Sequence, residues 1–524
     1  MFIGLWASGI NFNISALMDM TTIIDIMTEV AISTSRSTRT LRARWNRRAL
    51  VEAGKNRMRP IAMTMLAATL GIALFASGCA TYEPQRLSPQ GTAQAFSRRA
   101  LDDPGLRAYI ERATGAAPST RWDFPRLMLA ASYYHPDITV ARAQWETAQA
   151  GVLAAGGRPN PSVKTGAQRN LDAVGISPWT LGLDLNFTLE TAGKRGDRIA
   201  QAQYEAEAAR LRLAAATWQV ASRLRRRLLA LYQAQQSGGI LQQLEAAQAR
   251  YLALLEERRT AGDPSSFELT QTRIALDDTR LRVLTAEKQA AIGITHVADA
   301  VGVPAQALAG VDLALSSFDY PALAADAFPV ADLRTQALQQ RSDVLAALAD
   351  YAAAESALKL EVARQYPDLQ LSPGYTWDQG ARKWSLALGL ALPFNRNEGP
   401  IALARARRAE AAARFTALQD KISGELDAVR AEYAAALKQL DTADALLAAN
   451  EANQRVWRGR LRPGPLSALA GLNTEIAQTR AALARLDARV QAQQAFGRLE
   501  DAVQRSLDPL ELPPPAADIR GAVP

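Results

Sequence analysis

Trp179-Thr180-Leu181-Gly182-Leu183-Asp184-Leu185-Asn186-Phe187-Thr188-Leu189 alternates without a break between apolar residues and small or polar ones. Side chains along a β-strand point to opposite faces in turn, so this stretch is a strand with one wholly apolar face. Aromatic residues stand towards both ends of that face, at Trp179 and Phe187. The pattern returns 205 residues later, with Trp384, Leu386, Leu388, Leu390, Leu392 and Phe394 on one face. A strand about ten residues long, apolar on one flank and aromatic at its ends, suits a tilted crossing of a bilayer. A half-buried strand of a soluble sandwich would alternate in the same way, so the flanking sequence has to decide.

Each strand has a partner just before it. Ser162 to Arg169 carries Val163, Thr165 and Ala167 on one side, and Leu369, Leu371, Tyr375 and Trp377 share a face in the later copy. Asn170 to Pro178 and Asp378 to Lys383 are the expected connecting loops. Four strands in lipid would leave two unpaired edges, which a bilayer does not tolerate. Bacterial barrels start at about eight strands, so the chain must associate, and three copies would give a 12-stranded barrel.

The repetition extends beyond the strands. Asp137 and Asp343 stand 206 residues apart, as do Pro161 and Pro367. A period this long means duplication of a domain-sized unit. After each hairpin comes a helical pattern free of proline, from about residue 196 to 261 and from about 401 to 461. Ile199, Ala202, Ala206, Leu213, Val220, Leu224, Leu228 and Leu231 advance by three or four residues each time. So do Ile401, Ala404, Phe415, Leu418, Ile422, Leu426, Val429 and Tyr433, with Arg408 interrupting. This is coiled-coil spacing, and about 60 helical residues span roughly 90 Å. Such helices must project from the strands rather than fold into a compact domain. Gly238-Gly239 marks an expected bend. Gly262-Asp263-Pro264-Ser265 and Pro463-Gly464-Pro465-Leu466-Ser467 are turn signals that end the long helices. Returning helices follow at 266–297 and 467–503, with Ser265 and Ser467 placed as caps.

The amino-terminal region gives an address. Lys55, Arg57 and Arg59 precede an apolar run from Ile61 to Phe75, and Ala76-Ser77-Gly78-Cys79 follows. A basic head, an apolar stretch and small residues make a secretory signal, too short for a spanning helix. Small residues before a cysteine resemble a lipobox, with Cys79 as the lipid attachment site and Ala76 departing from the usual leucine. Cys79 is the single cysteine, so no intrachain disulfide can form. Met58 stands at the head of this signal. Residues 1–57 read as an annotation overhang or an extended n-region, and 58–78 as the signal peptide.

Composition narrows the function classes. The formal charge is +8, and residues 1–78 hold nine Lys and Arg against four Asp and Glu. The remainder is close to balanced, which argues against nucleic acid as a partner. Two histidines in separate segments, His135 and His296, with the cysteine assigned to lipid, offer no soft-ligand cluster for a metal. No catalytic spacing and no phosphate-binding glycine loop is evident, so neither an enzyme nor a cofactor is expected.

Two β-β-long-helix units, a lipobox and G-x-x-S turns between long helices resemble the TolC-type outer-membrane factor family. Arg158-Pro159-Asn160-Pro161 and Glu190-Thr191-Ala192-Gly193-Lys194-Arg195 are similar to the CzcC-like heavy-metal efflux branch. The resemblance implies a mainly α fold with membrane β: a trimeric 12-stranded β-barrel continued by a periplasmic α-helical coiled-coil barrel. It implies a homotrimer in outer-membrane lipid that works with a periplasmic adaptor and an inner-membrane RND-type transporter. It divides the chain into a lipid-anchored segment at 79–121, a first repeat at 122–300, an equatorial linker at 301–333, a second repeat at 334–508 and a flexible tail at 509–524. Gly262, Ser265, Gly464 and Ser467 would shape the periplasmic tips where partners engage. Glu268 is the candidate for a charged constriction. Ala470 and Asn473 stand where some relatives have aspartates, so an aspartate ring is not expected. Trp179, Phe187, Trp384 and Phe394 form the expected aromatic girdle. The alternatives are a drug-efflux or type I secretion duct of the same fold, or a lipid-anchored periplasmic coiled-coil structural protein.

Overall fold

The computed structural model describes residues 82–115, 120–171, 177–260, 266–319, 328–460 and 465–507. The signal segment, Cys79 and the tail from residue 508 lie outside them. Every described helix and strand belongs to the compact unit that starts at Pro89.

Two short helices, α1 (Pro89–Ser97) and α2 (Pro104–Thr114), lead to the strand β1 (Arg121–Trp122). The first repeat contains α3 (Phe124–Tyr134), α4 (Pro136–Ala155), β2 (Ser162–Arg169), β3 (Trp179–Leu189), α5 (Lys194–Thr260) and α6 (Ser266–Val301). A two-residue strand β4 (Asp312–Leu313) pairs in parallel with β1. The second repeat contains α7 (Val330–Gln339), α8 (Ser342–Ala363), β5 (Leu369–Asp378), β6 (Ala381–Leu390), α9 (Glu398–Arg460) and α10 (Pro465–Val503). Among the described residues no helix is long and apolar enough to cross a membrane.

The long helices form where the spacing places them. In α5, Ala202, Ala206, Val220, Leu224, Leu228 and Leu231 are buried, and in α9 so are Ile401, Ala404, Ile422, Leu426, Val429 and Tyr433. Fully burying a leucine is worth about 2 kcal/mol, so one seam of such residues adds to the high helix propensity that alanine, leucine, glutamine and arginine give either segment. Alanines in the seam let the helices approach closely: Ala208 and Leu211 of α5 meet Ala346 and Ala349 of α8. Arg408 breaks the apolar spacing of α9 because it reaches α8, donating to Glu355 at 3.0 Å. Gly238 and Gly239 lie within continuous helix. The space at Gly238 accommodates α6, since a Cβ there would meet Ala286 at 3.8 Å.

Packing gives the chain a ribbon-like order. Close to the strands the helices run α4, α5, α8, α9; towards the other end they run α6, α5, α10, α9. Between these levels a core gathers α2, α3, the middle of α5, the end of α6 and residues 303–318 around Leu106, Leu127, Val297 and Phe318. Its counterpart in the second repeat joins α7, α9 and α10 around Tyr433, Phe496 and Leu499.

The four longer strands make one antiparallel sheet in the order β2-β3-β5-β6. Three expectations need correction. First, β6 starts at Ala381 and ends at Leu390, so Leu392 and Phe394 lie beyond it although the apolar alternation continues. Pro393 has no N–H to give a ladder, and Phe394 N bonds Leu392 O at 3.0 Å in a tight turn. Second, the connector expected at 378–383 is only Gln379-Gly380, with φ of 49° and 104°. Two left-handed residues match the twist of a two-residue hairpin, which pulls the flanking residues into the strands. Third, Ser467 is the third residue of α10 rather than its cap, because the helix begins at Pro465. Proline is pre-organised for a first helical position.

Candidate functional site

Register fixes what each face of the sheet carries. Val163, Thr165, Ala167 and Arg169 pair with Leu185, Leu183, Leu181 and Trp179. Leu181, Leu183, Phe187 and Leu189 pair with Trp377, Tyr375, Leu371 and Leu369. Those in turn face Arg382, Trp384, Leu388 and Leu390. Across β3, β5 and β6 this face is mostly leucine and aromatic residues, and in β3 it is the more exposed one. In β3 every apolar residue is exposed and every intervening residue is only half-exposed. Trp179 is 37% and Phe187 38% exposed, and Trp384 reaches 83%. Phe394 is 92% exposed, but it stands past the strand, beside the start of α9.

The other face is small and polar: Gly182, Asp184, Asn186 and Thr188 lie beside Gln370, Ser372, Gly374 and Thr376. Polar contacts cross the strands here. Thr180 Oγ1 donates to Asp378 at 2.7 Å, Lys383 Nζ donates to the same carboxylate at 2.6 Å, and Ser372 Oγ donates to Asn186. Gly374 is required, since a Cβ would collide with the Asp184 carboxylate and stand 2.6 Å from Ser385 Oγ. The β3–β5 pairing is interrupted at Leu185 and Asn186, opposite Pro373, which lacks the N–H for a ladder bond. The sheet edges at β2 and β6 are open. An exposed apolar face, a polar face and two unpaired edges are what a segment of a barrel wall in lipid presents.

The strands meet the helices at a joint built by Glu190 to Arg198. Ala192 and Gly193 have φ of 54° and 77°, which reverses the chain out of β3 and into α5. Lys194, almost fully buried, donates to Asp368 at 2.6 Å, and Thr191 N donates to the same oxygen at 3.0 Å. Thr191 Oγ1 also donates to Pro367 O at 2.7 Å. Arg195 and Arg198 donate to the carbonyls of Gly156 and Ala155 at the end of α4, at 2.9 and 2.8 Å. Arg198 further holds Glu190 at 2.6 Å, and this bond keeps its guanidinium charged beyond the usual arginine range. Burial would raise the Asp368 pKa, but the Lys194 ammonium and the Thr191 amide outweigh it and leave the carboxyl below its ordinary value. Asp368 and Arg198 carry no signal of their own in the sequence, because their partners are distant along the chain or across a turn, and Thr191 stands out only as part of the Glu190–Arg195 motif.

At the far end of the helices the described residues stop short of the turns. Gly262, Ser265 and Gly464 lie outside them, and of Ser467 only its helical position is described. Glu268 is exposed in the first turn of α6, and its Oε1 accepts from Tyr251 Oη at 3.3 Å. Asn473 of α10 donates to the same hydroxyl at 3.4 Å. Tyr251 thus ties together the two hairpins beside a small buried cluster of Leu255, Leu269 and Leu469. The sequence singles out Glu268 and Asn473 but not the tyrosine between them. His135 and His296 are brought to different arginines, Arg223 and Arg227, each at 3.4 Å.

Comparison with known proteins agrees with this geometry. Residues 127–303 match the outer membrane efflux protein family. The cobalt-zinc-cadmium resistance protein CzcC of Cupriavidus metallidurans is 25% identical over 272 residues, 51% of this chain and 62% of that protein; the match spans less than two thirds of that relative's length. The outer-membrane channel OprN superposes with a TM-score of 0.59 at 19% identity, covering 82% of this chain and 99% of that one. The outer membrane protein VceC of Vibrio cholerae gives 0.58 at 18% identity, over 73% and 96%. The family match thus lies on the first repeat, and the channel structures, each below 20% identity, share the fold along most of both repeats.

Proposed function

We propose that this protein is the outer-membrane channel of a tripartite efflux system and passes heavy-metal cations outward. Three copies close the sheet edges into a 12-stranded barrel, and their long helices continue it as a periplasmic tunnel. The observation that carries the reading is the four-stranded sheet with an exposed apolar face, a polar reverse and two open edges, joined directly to helices of 67 and 63 residues. The helical ribbon supports the same closure: α9 lines one flank throughout, and α4 and α6 line the other. Exposed apolar residues wait on both flanks, Phe267, Ile274 and Leu281 at a seven-residue spacing on α6 and Leu446, Val456 and Trp457 on α9.

The partners in this reading are a periplasmic adaptor and an inner-membrane RND-type transporter, which supplies the energy. They engage the hairpin tips around Gly262, Ser265, Gly464 and Ser467, and Glu268 stands nearest to a charged constriction. Cys79 carries the lipid anchor. The cargo assignment follows from the likeness to a cobalt-zinc-cadmium resistance protein and from the joint motif. Deleting the gene and challenging cells with cobalt, zinc, cadmium, copper and silver beside a panel of organic drugs tests it. Sensitivity to metals alone is expected; sensitivity to drugs alone would leave the channel standing and remove the metal assignment.

A further inference from the structure

The apolar face of the sheet is not apolar to its end. At the loop end Arg169 and Arg382 stand on the same face as the leucines, in register with Trp179 and Trp377. The Arg169 guanidinium lies over the Trp179 ring, 5.9 Å from its centroid. Both arginines are exposed, and among the described residues neither has an acidic partner. The reverse face behaves differently at the same level, where Lys383 is neutralised by Asp378 at 2.6 Å. Next to Arg382 a groove of about 500 Å³ opens in the apolar face, walled by Leu183, Leu185, Pro373, Tyr375 and Trp384. It lies where Pro373 interrupts the strand pairing, and the Tyr375 and Trp384 rings meet edge to face at 5.0 Å.

A guanidinium on a lipid-facing surface is costly unless it reaches an anion. Tryptophan beside it marks the level of the headgroups. We propose that the loop end of this face binds a lipid whose headgroup carries phosphate, with an acyl chain in the groove and the phosphate on Arg382, and a second headgroup contact at Arg169. Guanidinium recognises phosphate oxygens through paired donors, and the groove supplies the apolar surface that a free anion would not use. The helices leave the opposite end of the sheet, so the lipid belongs to the leaflet away from the helical projection. The inference rests on the reading of the sheet as a membrane wall.

The test reconstitutes the full chain, stripped of lipid, into phosphatidylcholine nanodiscs that contain a minor fraction of diphosphoryl lipid A or of its dephosphorylated counterpart. Lipid retained after mild extraction is counted by native mass spectrometry. Preferential retention of the phosphorylated lipid is expected, and Arg169→Gln and Arg382→Gln should each weaken it roughly fivefold. Equal retention of the two lipids, or an unchanged double variant, overturns the proposal. Displacement of the lipid by inorganic phosphate alone also overturns it, because the site would then belong to a free anion. Insertion is read separately by protease protection. A chain that enters no disc defeats the membrane reading itself, whereas one that inserts without phosphate preference defeats this inference alone.

Discussion

Replacing Asp368 with alanine strips the joint between sheet and helices of its central acceptor. One oxygen takes both the Lys194 ammonium at 2.6 Å and the Thr191 amide at 3.0 Å. The lysine side chain is 9% exposed and the aspartate 34%. Breaking a buried ion pair costs about 3–5 kcal/mol because the surviving charge has no partner. The aspartate is partly wet, so water recovers some of that loss, and about 2–3 kcal/mol is expected for Asp368→Ala. Lys194→Met should cost less, since the partner it leaves can be hydrated. A double-mutant cycle in urea, followed by tryptophan fluorescence on the purified protein, isolates the coupling, expected at about 1.5–2 kcal/mol. Coupling below about 0.5 kcal/mol, the scatter of independent sites, would refute the claim that this pair holds the joint. The pair also has an acid limit. The Asp368 pKa is depressed in the fold from an ordinary 3.8, so its contribution is fully present above that value and is lost as pH falls through the folded value.

Further outcomes follow from the same geometry. His135 is buried and caps α4 through Nδ1, which accepts from Asp137 N at 3.2 Å, so it must be neutral. Burial lowers its pKa most; the nearby Arg223 also lowers it, against opposing pulls from Asp137 and Asp299. Stability should therefore decline as pH falls below the ordinary 6.5, and His135→Asn, which keeps a capping acceptor, should flatten that decline in denaturant melts across pH. Gly302 has a φ of 86°, and a Cβ there would stand 2.9 Å from His135 Cα; Gly302→Ala should cost about 2 kcal/mol or more in the same assay. On the sheet, Leu185→Arg places a charge near the middle of the lipid-facing side and should destabilise the inserted state by about 2–4 kcal/mol. Asn186→Lys, one residue along on the polar side, should leave insertion nearly unchanged. Comparable losses from both, in unfolding from detergent or bilayer, would contradict the assignment of faces.

The large features were legible because they depend on periodicity. Eleven alternating residues from Trp179 specify a face whatever they pack against, and the three-four spacing of α5 specifies a seam. The errors arose where a backbone detail overrides a side-chain pattern. Leu392 and Phe394 continue the alternation, but Pro393 ends the ladder. Gln379 accepts a left-handed conformation, which a residue other than glycine seldom signals in advance. The joint was visible only as a motif. Its partner Asp368 is identified only by folding the two repeats together, and the carbonyls of residues 155–156 only by folding α4 against α5. Tyr251 was hidden for the same reason, since its bonds run to α6 and α10 rather than to neighbours in the chain.

The duplication also shows where the two repeats have ceased to be equivalent. Gly193 precedes α5 and Asn397 precedes α9, both left-handed, at φ of 77° and 58°. Counting from these, Glu398 takes the place of Lys194, and the 206-residue period puts Ser162 in the place of Asp368. The first joint therefore reaches forward into the second repeat with a buried ion pair. The second turns inward instead: Asn397 Nδ2 donates to the carbonyl and carboxylate of Glu361 in its own repeat, at 2.8 and 2.9 Å. A ring that continued the repeat from one copy to the next would meet a glutamate and a serine where the chain itself uses a lysine and an aspartate. The seam within a copy is fastened by charge at the joint; in the proposed trimer the seam between copies would rest on strand pairing at β2 and β6 and on the apolar flanks of α6 and α9.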